Sequence, residues 1–158
     1  MVRFVSGDIF RVGSYDVLVV PVNIFGVMGR GIAKASKRLF PDNFMEYNDG
    51  CRRREVQTGR MFVVDRGDGV EGPRWVVNFP TKRGWWNDSR LEWIRSGLKD
   101  LGRVVKGLAG VRVVRVPALG CGEGKLRWED VREMIEEELG GLGGGIEFEV
   151  YEPWGLKI

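Results

Sequence analysis

The stretch VLVVPVNIFGVMGRGIAKAS, residues 17–36, joins an apolar run to a glycine-rich turn and then to a segment with helical spacing. Val17 to Val20 offers no polar residue to either face, which marks a strand covered on both sides. Such a strand implies a sheet lying between two layers of helices. Gly26, Gly29 and Gly31 allow the backbone to turn sharply and approach a ligand closely, and the helix that follows directs unpaired N–H groups back at the turn. The loop therefore suits a phosphate oxygen. It matches neither GxxxxGK[ST] nor GxGxxG with an acidic residue downstream, which disfavours P-loop ATP hydrolysis and ordinary NAD binding.

The same arrangement recurs later. Val111 to Val116 is apolar on both faces apart from Arg112 and Arg115, and it runs into a second glycine loop, Pro117-Ala118-Leu119-Gly120-Cys121-Gly122-Glu123-Gly124-Lys125. Hydrophobic periodicity places strands near 2–5, 16–22, 60–65, 74–79, 112–117 and 146–151. Helices are expected over 29–40, over 42–54 after Pro41, from Asp88 to about Lys106, and over 127–139. The turn-rich segment Asp65-Arg66-Gly67-Asp68-Gly69 calls for a hairpin, so the sheet should be mixed, though mostly parallel. The expectation is one α/β domain over 1–158, a three-layer α/β/α sandwich.

A third segment, NFPTKRGWW at 78–86, ends a buried-looking strand in two cations and two indoles. Lys82 and Arg83 read either as a strand leaving the core for water or as charges aimed into a site. If the strands run parallel, Lys82 shares a rim with both glycine loops, where open α/β sheets usually bind ligands. Trp85 and Trp86 read equally as packing against the following helix or as a wall of that site.

Composition narrows the chemistry further. The 158 residues suit one domain, with 43% hydrophobic and 30% charged residues, and no apolar run approaches the ~20 needed to cross a bilayer. The N-terminus lacks the pattern of a signal peptide, and Cys51 and Cys121 form neither a C-x-x-C pair nor a disulfide framework, so a cytoplasmic location is expected. With no histidine, imidazole-based triads and HExxH zinc chemistry are excluded. Catalysis would rest on lysine, carboxylates, hydroxyls or backbone. A net charge of +3 is mild but favours an anionic ligand.

Four blocks taken together resemble a macrodomain: Gly7-Asp8-Ile9, then Pro21-Val22-Asn23 with the first glycine loop, then Asn78 to Arg83, then the second glycine loop with Leu126-Arg127-Trp128. The pattern is similar to the DarG-type macrodomains, antitoxin enzymes that remove ADP-ribose from DNA, and to the terminal ADP-ribose protein glycohydrolase. The resemblance runs in order along nearly the whole chain.

The resemblance implies an ADP-ribose site. Asp8 would accept a hydrogen bond from the adenine amino group, with Ile9 beside it, and Tyr151 would pack on the ring. Asn23 would meet the distal ribose. The backbone of Gly29, Arg30, Gly31 and Ile32 and that of Gly120, Cys121, Gly122, Glu123 and Gly124 would hold the two phosphates, with Val27, Met28, Ala118 and Leu119 also counted among the ligand-binding residues. Thr81 lies beside Lys82, which matches the catalytic lysine, an amine that attacks the distal ribose at its anomeric carbon or its ring-opened aldehyde. That role requires a neutral amine, which burial or a neighbouring cation such as Arg83 would favour. The implied activity is glycohydrolysis of ADP-ribose from DNA bases or acidic side chains. The alternatives are a non-catalytic reader of ADP-ribose or its polymers and a phosphatase acting on ADP-ribose 1″-phosphate.

ADP-ribose would be ligand or product, with no metal or cofactor. The implied partners are ADP-ribosylated single-stranded DNA or protein, with no membrane and a monomeric chain. Two positions depart from the family pattern. An aspartate that assists the lysine aligns with Gly124, leaving Glu123 as its substitute, and an asparagine expected earlier in the first loop is Val20. The chain ends soon after the last strand, so no additional C-terminal domain is expected.

Overall fold

The computed structural model of the protein describes residues 1–153. Six strands form one sheet: β1 (Val2–Val5), β2 (Val17–Val22), β3 (Phe62–Asp65), β4 (Trp75–Pro80), β5 (Val113–Val116) and β6 (Glu147–Tyr151). Their order across the sheet is β1-β6-β5-β2-β4-β3. All neighbours run parallel except β3 and β4, which pair antiparallel from Phe62 opposite Asn78 to Asp65 opposite Trp75. The helices are α1 (Gly31–Leu39), α2 (Pro41–Arg52), α3 (Leu91–Gly107) and α4 (Trp128–Leu139).

Alternation along β2 creates the three layers. Val17 and Val19 pack with Val77, Phe79, Val114 and Val116 against Ile94, Leu98 and Leu101 of α3 and Val131 and Ile135 of α4. Leu18, Val20 and Val22 point the other way, packing with Val76 against Ile32 of α1 and Tyr47 of α2. Both faces of β2 are thus sealed, and each fully buried valine or leucine contributes about 1.5–3 kcal/mol relative to exposure.

Two helices start later than their sequence periodicity suggests. α1 begins at Gly31, not 29, because Arg30 is extended (φ −147°, ψ 159°). α3 begins at Leu91, not at Asp88: Arg90 is extended, and Ser89 is drawn beneath the second glycine loop, where its N–H donates to the Gly124 carbonyl at 3.0 Å. The β3–β4 connection is also longer than the pentapeptide Asp65–Gly69. It closes through the Arg66 N–H donating to the Arg74 carbonyl (2.7 Å), and the Arg74 guanidinium ties Asp65 and Asp68 together.

A buried arginine anchors the segment between β1 and β2. Arg115, 3% exposed on β5, donates to the carbonyls of Ile9 (3.0 Å) and Arg11 (2.6 Å) and lies 3.8 Å from the Tyr15 ring centroid. Asp16 completes the tie by accepting from the N–H groups of Arg112 and Val113.

Candidate ADP-ribose cleft and its lysine

Strands β5, β2 and β4 are adjacent and parallel, so the segments leaving their C-terminal ends meet at one edge. Those segments are the second glycine loop, the first glycine loop and the lysine segment. Between them lies a cleft of about 680 Å³, ample for a nucleotide-sized ligand. Its lining includes Asn23, Val27, Gly29 to Ile32, Thr81, Lys82, Ala118, Gly120 to Lys125 and Pro153.

Main-chain bonds extend the β2–β4 pairing beyond the strand ends. The Thr81 N–H donates to the Val22 carbonyl at 3.0 Å, and the Ile24 N–H donates to the Arg83 carbonyl at 2.9 Å. Lys82 is bracketed by these two bonds and held alongside Asn23. Its half-buried side chain donates to the Trp85 carbonyl at 3.3 Å.

Asn23 shapes the first loop from within. Its Oδ1 accepts from the N–H of Phe25 (2.9 Å) and the Tyr47 hydroxyl (3.1 Å), and its Nδ2 donates to the Val27 carbonyl (2.8 Å). The amide retains one further Nδ2 hydrogen for a ligand. The single O–H of Tyr47, which is fully buried, is shared between that Oδ1 and the nearer Asn23 carbonyl at 2.8 Å. This support has no local signature in the sequence: nothing in α2 signals that its tyrosine reaches the β2 loop.

The phosphate-holding potential resides in backbone. α1 opens with no side-chain cap, so its first N–H groups face the cleft with no intrahelical partner. Gly31 at φ +59° and Gly120 at φ +74° adopt the left-handed conformation that favours glycine. Arg30 and Glu123, both exposed, approach to 3.8 Å and link the two loops across the opening.

Gly124 is closely packed: a Cβ built there would overlap the Ser89 hydroxyl and lie 2.6 Å from the Gly120 carbonyl oxygen. No aspartate fits at this position as the loop stands. Glu123 lies at the mouth beside Arg30. Cys121 lines the cleft, but burial, reinforced by Glu129 and Asp130, pushes its thiol up to about 12, so it remains protonated and a poor nucleophile.

Five of the expected ligand residues do not line the cleft. Ile9, Met28, Leu119 and Tyr151 are 0%, 3%, 0% and 3% exposed and belong to the core, where their side chains fix the loops from below. Tyr151 faces the Arg115 guanidinium at 5.9 Å instead of a free surface. Asp8 is exposed, and its Oδ1 accepts from the Phe10 N–H at 2.9 Å. Of the two readings of the Trp pair, the wall is the one the structure shows: Trp85 and Trp86 line the cleft and are 62% and 59% exposed. Trp128, by contrast, is buried edge-on against Phe4.

The Macro domain family model matches residues 19–135, a span holding both glycine loops and the lysine segment. The chain belongs to the macro domain family. Over 97% of its length, this macrodomain is 46% identical to the DNA ADP-ribosyl glycohydrolase of Thermus aquaticus. It spans only 41% of that relative's length. The solved macrodomain of Thermus aquaticus DarG superposes with a TM-score of 0.90 at 45% identity, covering 97% of this chain and 99% of that one. Thermosipho africanus DarTG, solved in complex with ADP-ribose, matches with a TM-score of 0.80 at 33% identity over 91% of this chain and 39% of that one. The fold is therefore that of the DarG macrodomains. Among the described residues, no cluster of three His, Cys, Asp or Glu side chains could hold a metal, and no helix is long and apolar enough to cross a membrane.

Proposed function

We propose that this macrodomain binds ADP-ribose between its two glycine loops and acts as an ADP-ribosyl glycohydrolase on ADP-ribosylated DNA, with Lys82 as the catalytic amine. The observation that carries the reading is the bracketing of Lys82 against Asn23 at the cleft edge, by two hydrogen bonds that continue the β2–β4 ladder. The relatives named as DNA ADP-ribosyl glycohydrolases support the substrate class. In this reading residues 1–158 are a single macrodomain, ADP-ribose is ligand and product, and no resident metal takes part.

The chemistry asks little of the rest of the chain. Lys82 Nζ attacks the anomeric carbon of the distal ribose, the glycosidic bond breaks with its electron pair leaving on the base, the base takes up the proton the amine sheds, and water then releases ADP-ribose and restores the amine. The glycine loops hold the diphosphate, so binding energy from the non-reacting part of the ligand positions the ribose.

A second reading, a reader that binds without turnover, draws on the packing at Gly124, which leaves no room for the aspartate that assists lysine in the protein-specific enzyme. One experiment separates the two. ADP-ribosylated single-stranded DNA and ADP-ribosylated protein are given to the wild type and to Lys82→Ala, with released ADP-ribose measured and ADP-ribose binding followed by calorimetry. The glycohydrolase reading expects release from DNA by the wild type and at least a hundredfold less by Lys82→Ala, roughly the scale of losing one catalytic group. Binding with no release by the wild type leaves the reader.

A further inference from the structure

Three large aromatic side chains stand exposed and contiguous at the lysine end of the cleft. Phe25, Trp85 and Trp86 are 56%, 62% and 59% exposed. Phe25 from the first loop and Trp86 from the lysine segment have ring centroids 5.2 Å apart at 45°, and Trp85 meets Trp86 edge-on at 5.5 Å. Large aromatics this close together normally bury their faces, so an exposed group of them marks a surface that takes a partner.

The shelf is built into the site. A Cβ at Gly84 would lie 2.6 Å from the Trp86 indole, so the absence of a side chain there lets that ring rest on the backbone. The turn beneath it is closed in both directions: the Gly84 N–H donates to Asn87 Oδ1 (2.9 Å) and the Asn87 N–H donates to the Gly84 carbonyl (3.0 Å). Trp85 meanwhile offers its carbonyl to Lys82 Nζ. Trp85 and Trp86 share the cleft wall with Lys82, so with Lys82 as the amine that attacks the distal ribose, the group attached to that ribose leaves the cleft past these rings.

The rim carries several cations for a polyanion, with Arg30 and Arg90 also approaching Glu123 (3.8 Å) and Glu92 (3.6 Å). Arg30, just before α1, and Lys34 and Arg38 within it stand exposed at four-residue spacing, flanking a shallow depression that shares Gly29, Arg30 and Gly31 with the main cleft. Next to the Trp pair in the chain, Arg83 and Arg90 are exposed and lie over Trp93. Exposed aromatic faces with cations near them form the arrangement on which unpaired bases stack while phosphates are neutralised. An acidic side chain on a folded protein would offer nothing to stack on them.

We infer that Phe25, Trp86 and Trp85 form a stacking shelf for bases adjoining the ADP-ribosylated nucleotide of a single strand, and that this shelf selects DNA over modified protein. The inference rests on the glycohydrolase reading for its location but is tested by binding alone. In a Lys82→Ala background, which keeps ligands intact, affinities are measured for an ADP-ribosylated mononucleotide and for a single strand of about seven nucleotides carrying one such base; stacking predicts the strand to bind roughly tenfold or more tightly. Phe25→Ala and Trp86→Ala should each lower the strand-to-mononucleotide affinity ratio severalfold, and Trp86→Phe should retain most of it. Equal affinity for the two ligands without substitution, or the same loss on both in the alanine variants, overturns the shelf. An ADP-ribosylated acidic peptide showing the same dependence on Phe25 and Trp86 overturns its selectivity for DNA. Absence of ADP-ribose release by the wild type removes the glycohydrolase reading without altering these ratios.

Discussion

A side chain at position 124 has nowhere to go: Ser89 and the Gly120 carbonyl already occupy the space. Restoring the aspartate by Gly124→Asp should therefore fail to raise turnover. It should also lower stability by about 1–3 kcal/mol, read as a fall in Tm, because the loop and Ser89 must shift. Cys121 carries a pH signature. Its thiol is raised in the folded state from an ordinary ~8.5, so its stabilising effect is complete below that value and is lost as pH climbs towards about 12, where only the unfolded chain gains a thiolate early. Native protein should thus alkylate slowly at Cys121 at pH 9 and rapidly in urea, and Cys121→Ala should flatten the decline in stability above that pH. Lys82 and Asn23 were legible from sequence as residue types at a strand end. That Asn23 uses most of its hydrogen bonds inside its own loop was not legible, because Tyr47 arrives from a distant helix.

The elements themselves followed closely from periodicity, since both helices and strands here bury well-defined stripes. The boundaries that differ are those where another element competes for the backbone. Ser89 would be an ordinary helix-start residue, yet its N–H is engaged by the second glycine loop and α3 starts after it. The α2–β4 contact is a polar one that apolar patterning cannot reveal: Asn43 and Asn78, both fully buried, exchange hydrogen bonds at 3.1 and 2.9 Å, and Asn78 also donates to the Phe62 carbonyl. Asn43→Ala leaves the Asn78 amide partly unsatisfied in the core, which costs about 1–3 kcal/mol in urea titration. Replacing both residues by apolar groups of similar shape should recover part of that loss. On the opposite face α3 sits so close to β4 that a Cβ at Gly97 would overlap the Phe79 ring, so Gly97→Ala should destabilise by a similar amount.

At the scale of the whole molecule, every strand is tied into one sheet whose two faces carry the two core clusters. Urea unfolding should therefore be one cooperative transition, with tryptophan fluorescence and far-UV dichroism giving coincident midpoints. Two resolved transitions would argue against a single domain. The sequence alone determined that β2 and β5 are buried on both faces, that each feeds a glycine loop, and that catalysis cannot involve histidine, because these depend only on residue types and local spacing. Tertiary structure decided which side chains reach the cleft. Strand order set β5, β2 and β4 side by side, burial withdrew Ile9, Met28, Leu119 and Tyr151 into the core, and the turn at Gly84 left Trp85 and Trp86 in the open. The reason is physical: a side chain's direction depends on what packs against it from segments far away in the chain, and no local pattern encodes those neighbours.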